Sequence, residues 1–429
     1  MRVLIFGLGV LGGGYAAATY FLDRGDEVRI TDLRSEKELG EPLQLLKKRG
    51  ASVICQEHRE EDFRWADLVV KNPAIPVDSP YLGLAKEIVS DISYLFSSPL
   101  IEGIKLVAVT GTKGKTTTVA AVTHALNRIK GEALQLGNMG VSGFTILDIL
   151  EKREKRGDSK PLYLVCELSS WQIRDLFNAS HQNLPPFKII LLTSLFPDHL
   201  NKYGDYQAYK EDKWLLFNNA PTRIIIPAEL SNEIVSANLG NVRTIESFSG
   251  VANFPPRLQP AWALCRSLGL GPRQTESAFE SFRGVPHRQE AIDMKGGILF
   301  INDSAATIPQ AVTFTCSNSP YQYHLICGGT DKNLAPDAML EPMKRALSLH
   351  LLAGSFTTNK LIPLLNKQAL AYEGPFNTMA AAVASAYKAS RGGAKGTAVI
   401  LSPGAASFDL FKHEFDRGEQ FKEAVKNLE

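Results

Sequence analysis

The stretch V-A-V-T-G-T-K-G-K-T-T-T at residues 107–118 decides the fold of the middle of this chain. An apolar run that suits a strand leads into two glycines, and a run that suits a helix follows. Backbone N–H groups of such a loop contact phosphates, a lysine neutralises the β and γ oxygens, and a hydroxyl holds Mg²⁺. Val109 stands where the strict pattern has its first glycine, and Gly111 serves instead in a shorter loop. The candidate nucleoside-triphosphate contacts are Gly111, Thr112, Lys113, Gly114, Lys115, Thr116 and Thr117.

A second glycine motif, G-L-G-V-L-G at residues 7–12, follows the first apolar run of the chain. Asp32 comes about twenty residues later, at the end of a second predicted strand, as in dinucleotide-binding folds. Taken alone, this motif favours an NAD-dependent oxidoreductase, although the same geometry suits any nucleotide diphosphate. A tight turn without a ligand stays open as well. The separate phosphate loop counts against the oxidoreductase, because hydride transfer needs no triphosphate.

Short β-branched runs alternate with helix-length segments over most of the chain, which predicts an α/β fold with parallel sheets. At about 150 residues per domain, 429 residues indicate about three domains. We place their limits at residues 1–100, 101–284 and 285–429. Strands are predicted at residues 3–6, 27–31, 68–70, 106–110, 163–166, 189–193, 223–226, 298–301, 324–327 and 398–401, and helices at 15–24, 115–129, 206–217 and 378–390.

The composition excludes several classes of protein. Lys and Arg number 47 and Asp and Glu 45, so a net charge of +2 gives a nucleic-acid or anionic-membrane partner no support. No apolar run reaches the roughly 20 residues of a membrane span, and the N-terminus is interpreted as a strand and not a signal peptide. Five widely spaced cysteines without a C-x-x-C pair predict reduced thiols in a cytoplasmic protein.

Candidate metal ligands follow predicted strands beyond the loop. Glu167 ends a strand in Y-L-V-C-E-L-S-S-W-Q, where an acid can share the Mg²⁺ held by Thr116. His199 follows another strand in P-D-H-L, and Lys213 lies on the helix predicted from residue 206. A hydrogen-bonded structural role for His199 and a solvated role for Lys213 remain open on the pattern alone.

These segments together resemble the Mur ligase family, the ATP-dependent amino-acid ligases of bacterial peptidoglycan synthesis. The glycine fingerprint at residues 7–12 favours the D-glutamate-adding branch, whose first domain is Rossmann-like. The resemblance implies a P-loop ATPase-like central domain and a Rossmann-like C-terminal domain that binds the amino acid. The matching segments are those already quoted and N-P-A-I-P at 72–76, G-N-M-G at 137–140, A-Y-K-E-D-K at 208–213, P-H-R at 286–288, N-D-S-A-A-T at 302–307, G-G-T-D-K at 328–332 and S-P-G-A-A-S-F-D at 402–409.

The resemblance also implies a reaction. A cytoplasmic monomer would use ATP to convert the carboxylate of UDP-N-acetylmuramoyl-L-alanine into an acyl phosphate, which the amine of D-glutamate then attacks. One Mg²⁺ would lie on Thr116 and Glu167, and a second on His199 and a carbamylated Lys213. The remaining residues that the resemblance implies are Lys115 and Asn138 at the phosphoryl group, Arg288 and Asp303 at ATP, Gly9, Asp32, Arg34 and Asn72 at UDP, Ser169 and Gln172 at the substrate, and Lys332, Ser407 and Phe408 at the amino acid.

The chain departs from the D-glutamate branch in two places. The asparagine-rich adenine-side motif at the end of the central domain is reduced to Asn253 in N-F-P-P-R at residues 253–257, with Arg257 as the candidate substitute. Ala305 stands in N-D-S-A-A-T where that branch usually has a lysine, whose ammonium would pair with the carboxylate of the amino acid. Lys332 or another basic residue can supply this charge. A sister ligase with another amino acid such as L-glutamate is therefore kept as an alternative. A folylpolyglutamate synthase-like enzyme is a further alternative, but the glycine fingerprint at residues 7–12 counts against it, because the folate branch lacks an N-terminal UDP domain.

Overall fold

The computed structural model divides the chain into two compact units. The first comprises Met1–Leu195 and Lys210–Phe282, and the second Phe196–Tyr209 and Arg283–Glu429. The structure describes residues 1–9, 12–137, 141–178, 187–198, 203, 205–218, 223–231, 244–248, 255–317, 319–391 and 396–428.

The first sheet of the first unit has five parallel strands in the order β3-β2-β1-β4-β5. Its order reverses between β1 and β4, and ligands of open α/β sheets bind at the carboxyl end of such a reversal. The strands are β1 (Arg2–Phe6), β2 (Glu27–Asp32), β3 (Ser52–Cys55), β4 (Leu68–Lys71) and β5 (Ile88–Val89), and the helices are α1 (Gly13–Leu22), α2 (Glu36–Lys48), α3 (Glu60–Trp65) and α4 (Asp91–Ser97).

The second sheet of this unit is also parallel, in the order β11-β10-β9-β6-β8-β7. One hydrophobic core continues from the first sheet to the second, where Phe21, Leu95 and Phe144 are buried together. The strands are β6 (Lys105–Thr110), β7 (Glu132–Leu136), β8 (Leu162–Glu167), β9 (Ile189–Leu192), β10 (Arg223–Pro227) and β11 (Thr244–Phe248), and the helices are α5 (Lys115–Ile129), α6 (Gly143–Lys155), α7 (Ser170–Asn178), α8 (Tyr206–Asn218), α9 (Gln259–Ser267) and α10 (Pro272–Glu280).

The sheet of the second unit has the order β12-β13-β17-β14-β15-β16 and is mixed. The expectation of parallel strands is wrong at one edge, where β12 pairs antiparallel with β13. Gly296 and Gly297, with φ of 58° and 79°, allow the two-residue turn of this hairpin. The elements are β12 (Glu290–Lys295), β13 (Ile298–Asn302), α11 (Pro309–Ser317), β14 (Tyr323–Cys327), α12 (Leu340–Arg345), β15 (Ser348–Leu352), α13 (Ile362–Lys367), β16 (Glu373–Phe376), α14 (Met379–Ser390), β17 (Ala398–Leu401) and α15 (Glu414–Lys426).

The predicted α/β class with parallel sheets is confirmed, and each of the ten predicted strands is present within about two residues at its ends. The domain limits at 100/101 and 284/285 fall between consecutive sheets and stay predictions. All five cysteines are free thiols. In the described part of the chain, none of the helices combines the length and apolar character needed to cross a membrane.

Candidate functional site

The phosphate loop, residues 111–114, joins β6 to α5 at the carboxyl edge of the second sheet. Gly111 and Gly114 have φ of 139° and 88°, which side-chain-bearing residues rarely adopt. A Cβ atom on Gly111 would lie 2.1 Å from Oγ1 of Thr193 and 3.0 Å from the backbone N of Ser194. The loop therefore packs directly on the residues that follow β9, and only glycine fits at position 111.

Thr193 and Ser194 support this loop, and the sequence analysis did not identify them. The backbone N–H of Thr112 donates to the Ser194 carbonyl at 2.9 Å, and that of Lys113 donates to Ser194 Oγ at 2.8 Å. The Thr193 hydroxyl donates to the Lys113 carbonyl at 2.5 Å. A partial signal was available, because the predicted strand at residues 189–193 ends at Thr193, but only the structure shows that this strand lies beside β6.

Two pairs of polar groups lie at the start of α5. The Lys115 ammonium donates to the carbonyls of Gly111 and Thr112 at 2.8 and 3.1 Å, so its charge lies against the phosphate loop. The Thr116 hydroxyl donates to Glu167 Oε1 at 3.0 Å, and both side chains are buried. A cavity of about 10 Å³, the size of one water, adjoins this pair of oxygens.

Lys213 also reaches the loop. Helix α8 carries it, and its Nζ donates to the Gly111 carbonyl at 3.2 Å. Its exposed fraction is 1%, which excludes the alternative of a solvated helix lysine. His199 and Asn138 lie outside the described residues. Among the described residues, no group of three or more His, Cys, Asp and Glu side chains could hold a metal ion. The Thr116 hydroxyl and the Glu167 carboxylate, which lie together there, are candidate oxygen ligands.

The glycine motif of the first sheet is organised by Asp32. Its carboxylate accepts from the backbone N–H of Leu8 at 2.9 Å and from Nε and Nη2 of Arg34 at 2.9 and 2.6 Å. Burial opposes ionisation of this carboxyl, but the hydrogen bonds from Arg34 and Leu8 outweigh it and hold the pKa of Asp32 below its ordinary value. Asp32 thus fixes both the glycine loop and the guanidinium of Arg34.

Close approaches by other atoms explain two glycines in this part of the chain, Gly9 and Gly14. A Cβ on Gly9 would lie 2.5 Å from Nδ2 of Asn72, so these two predicted UDP contacts are neighbours. A Cβ on Gly14 would lie 2.4 Å from the Leu8 carbonyl, which makes Gly14 a further required glycine that the sequence analysis missed. Its signal was the run of three glycines at residues 12–14.

Ser169 and Gln172 form a reciprocal cap at the start of α7. The Ser169 hydroxyl donates to Gln172 Oε1 at 2.8 Å, and the Gln172 backbone N–H donates to Ser169 Oγ at 3.3 Å. Such a capping box fixes the direction in which a helix begins. Both residues follow β8 directly after Glu167, so the same strand end carries the acidic residue and the cap.

In the second unit, Asp303 lies at the end of β13 and is buried. Its carboxylate accepts from the hydroxyls of Thr315 and Ser402 at 2.6 and 3.0 Å. Burial outweighs these bonds and raises the pKa of Asp303 to about 6. Nε of Arg288 is buried without a hydrogen-bond partner among the described residues.

The predicted amino-acid contacts also belong to this unit. Lys332 Nζ donates to Thr307 Oγ1 at 3.2 Å, which brings an ammonium to the loop that carries Ala305. Oγ of Ser407 is buried and has no hydrogen-bond partner in the described part of the chain. The Phe408 ring is 68% exposed.

Arg417 on α15 holds the two loops of these residues together, and the sequence analysis missed it. Its guanidinium is fully buried and donates to the carbonyls of Ser304, Ala405 and Ala406 at 2.8 to 3.1 Å. Burial lowers the pKa of Arg417 to about 9. A single arginine in an amphipathic helix gave no signal for this role.

Known proteins resemble the chain in sequence along its whole length. The Mur ligase middle domain matches residues 109–249. The UDP-N-acetylmuramoylalanine–D-glutamate ligase of Borreliella afzelii is 32% identical, over 100% of this chain and 98% of that protein. The ligase of the same name from Treponema pallidum is 30% identical, over 99% and 97% of the two chains.

Solved structures share the fold. The UDP-N-acetylmuramate–alanine ligase MurC of Thermotoga maritima superposes with a TM-score of 0.61 at 18% identity, over 99% of both chains. The MurF ligase of Thermotoga maritima in complex with ADP gives 0.56 at 13% identity, over 93% of this chain and 95% of that one. The full-length sequence relatives and this shared fold lead to one conclusion: the chain belongs to the Mur ligase family.

Proposed function

We propose that this chain joins D-glutamate to UDP-N-acetylmuramoyl-L-alanine with the hydrolysis of ATP to ADP and phosphate. The observation that carries the proposal is the convergence of Lys115, Lys213 and the Thr116–Glu167 pair on one phosphate loop, in a chain whose full-length relatives bear that name. A carboxylate is a poor acylating agent, because oxide would have to leave. Transfer of the γ-phosphoryl group solves this problem, because phosphate leaves readily.

The reaction proceeds in two steps. A carboxylate oxygen of the nucleotide sugar attacks the γ-phosphorus, the bond to the β-bridging oxygen breaks, and ADP leaves. The amine of D-glutamate then attacks the acyl carbon, a tetrahedral intermediate collapses, and phosphate departs with the former carboxylate oxygen. Lys115 neutralises the transferring group, since two anions must meet. Asn138, outside the described residues, is proposed to contact the same group.

The donor chemistry of the site fits magnesium. Thr116 and Glu167 offer a hydroxyl and a carboxylate beside a small cavity, and oxygen is the ligand that Mg²⁺ prefers. Magnesium, when bound, withdraws charge from the phosphate oxygens. We assign His199 and a carbamylated Lys213 to a second ion. Carbamylation joins the neutral Nζ to CO₂ with release of a proton, and it turns a buried amine into an oxygen ligand at the loop.

The nucleotide sugar is assigned to the first unit. Arg34, held by both oxygens of Asp32, presents its guanidinium to the UDP phosphates, and Gly9 lets them approach the backbone beside Asn72. Ser169 and Gln172 are the proposed contacts near the reacting carboxylate.

The second unit supplies the remaining contacts. Arg288 and Asp303 are assigned to ATP, and Lys332, Ser407 and Phe408 to the amino acid. We propose that Lys332 supplies the positive charge that the branch usually takes from the lysine at position 305, because its ammonium already lies on Thr307 in the same loop. We further propose a monomer with domain limits at 100/101 and 284/285.

The test is release of ADP in the presence of UDP-N-acetylmuramoyl-L-alanine and a panel of D-glutamate, L-glutamate and L-lysine. We expect ADP only when the nucleotide sugar and D-glutamate are both present. Lys115→Met should abolish it, whereas Lys152→Ala, which changes an exposed lysine on α6, should not. Release of ADP without any amino acid would contradict the ligase proposal.

Ala305 favours one second candidate, a sister ligase that prefers L-glutamate. If the carboxylates of the amino acid are bound from the position of Lys332 and not from position 305, the preferred configuration can change. Higher kcat/KM for L-glutamate than for D-glutamate in the same panel would support this candidate over the first.

A further inference from the structure

A buried ion pair connects the parts of the first unit that are built on its first and second sheets, which we call its two layers. Lys71 Nζ donates to Oδ1 and Oδ2 of Asp175 at 2.8 and 3.0 Å, and both side chains are only 5% exposed. Lys71 ends β4 of the first sheet, whereas Asp175 lies on α7 beside the second sheet. None of the motifs considered so far includes either residue.

Each partner is attached to a segment that we assign to the nucleotide sugar. Lys71 directly precedes Asn72, and its Nζ also donates to the Asn72 carbonyl at 3.3 Å. Asn72 in turn donates its backbone N–H to Phe6, beside the glycine motif. Asp175 lies three residues after Gln172, so the two share one face of α7. A contact between Lys71 and Asp175 therefore fixes the distance from the Asn72 segment to the Ser169–Gln172 cap.

Stability alone does not explain this pair. The cost of removing two charges from water often exceeds their mutual attraction, and well-packed apolar residues can stabilise such a site as well or better. The surroundings are also unfavourable for an anion. Burial and the charges of Asp91 and Asp212 disfavour the ionised carboxylate of Asp175, and their effect exceeds the attraction to the Lys71 ammonium. The pKa of Asp175 is therefore raised to about 6. Arg174 on the same helix pairs with Asp212 at 3.1 Å and adds one more charge nearby.

We propose that Lys71 and Asp175 are positioning residues, which hold the Asn72 segment and the Ser169–Gln172 cap in register so that one nucleotide-sugar molecule contacts both. This inference rests on the proposed function, since that function supplies the substrate. Neither side chain touches the reacting atoms. Their effect falls on binding of the nucleotide sugar and leaves ATP binding to the phosphate loop unchanged.

The decisive variant is the double substitution Lys71→Met/Asp175→Leu, which removes both charges and keeps the volume apolar. We expect the KM for UDP-N-acetylmuramoyl-L-alanine to rise about ten-fold, with kcat and the KM for ATP within about two-fold of the wild type. Asp175→Asn keeps the shape and one acceptor and should raise the same KM about three-fold. In the wild type this KM should also rise as the pH falls below about 6, and in the double variant it should not.

The matched control is Glu151→Gln, which weakens the ion pair between Glu151 on α6 and Arg24 after α1, a second link between the same two layers. It should leave every kinetic constant unchanged. A double variant with the wild-type KM for the nucleotide sugar would overturn the positioning role and leave the proposed function intact. Equal rises in both substrates' KM values would overturn it as well. A wild-type chain that does not bind the nucleotide sugar in calorimetry would overturn both proposals.

Discussion

Replacement of Gly111 by alanine is the sharpest test of the phosphate loop. A Cβ atom at this position would lie 2.1 Å from Thr193 Oγ1, far inside contact distance, and 3.0 Å from the backbone N of Ser194. The Thr193 side chain must rotate or the loop must move. Either change breaks the hydrogen bond from the Thr193 hydroxyl to the Lys113 carbonyl.

The free-energy cost of the Gly111→Ala substitution has two parts. A φ of 139° costs a non-glycine residue about 1–2 kcal/mol, which lowers the free energy of unfolding. The lost hydrogen bond and the displaced loop add about 1–2 kcal/mol, which falls on nucleotide binding, because the bound state needs the loop in place. The second part corresponds to roughly a ten-fold weaker affinity for a nucleotide bound at this loop, ADP as well as ATP.

Gly131→Ala is the matched control. Gly131 follows α5 with a φ of 115°, but a Cβ there meets no atom within 4 Å. The Gly131→Ala substitution therefore carries the same backbone cost as Gly111→Ala but creates no steric clash. Calorimetric titration with ADP and Mg²⁺, together with thermal unfolding, separates the two parts. Equal affinities of the Gly111→Ala and Gly131→Ala variants for ADP would refute the described packing of the loop on Thr193.

Three further predictions concern single residues. Lys213→Ala should lower kcat at least about 100-fold by removing the proposed carbamate, and added acetate should restore part of the turnover; an alanine variant with near wild-type kcat would remove the carbamate from the account. Ser407→Ala should raise the KM for the amino acid about ten-fold without lowering the thermal midpoint, because its hydroxyl has no partner in the described structure to lose; a lower midpoint with unchanged KM would contradict this. Burial lowers the pKa of His350 to about 4, from an ordinary value of about 6.5. As the pH falls, the unfolded chain therefore binds this proton at a higher pH than the folded chain does. The free energy of unfolding should fall by about 3 kcal/mol between pH values of about 6.5 and about 4. Urea unfolding of the wild type and of His350→Gln across this range checks the sign, and an identical pH dependence of the two would count against it.

Local patterns were sufficient for the elements around the phosphate loop. The apolar run before Gly111 and the phosphate-loop motif that opens a helix after Gly114 predicted β6 within one residue and α5 at 115–129 as found, because both signals lie within one stretch of chain. Strands such as β3 and β12 were missed. Their side chains are mostly half-buried or exposed, so they lack the continuous apolar run that marks a strand covered on both faces.

Contacts between distant segments could not be predicted in the same way. The spacing of Asp32 from the glycine motif was informative, but it did not reveal that Arg34 would fold back onto both carboxylate oxygens. Thr193 and Ser194 act on a loop about 80 residues earlier, and their place at the end of a predicted strand did not show which strand lies beside it. The pattern alone favoured a solvated Lys213, and the family resemblance implied a metal-ligand role for it. Neither predicted its buried position beside the Gly111 carbonyl.

Oxygen transfer tests the central claim most directly. UDP-N-acetylmuramoyl-L-alanine labelled with ¹⁸O in its carboxylate is incubated with the enzyme, ATP and D-glutamate. The ¹⁸O content of the released phosphate is then measured by mass spectrometry. Attack of the carboxylate on the γ-phosphorus must leave one labelled oxygen in each phosphate and none in ADP. Phosphate without label, formed alongside the amide product, would contradict an acyl-phosphate route in this chain.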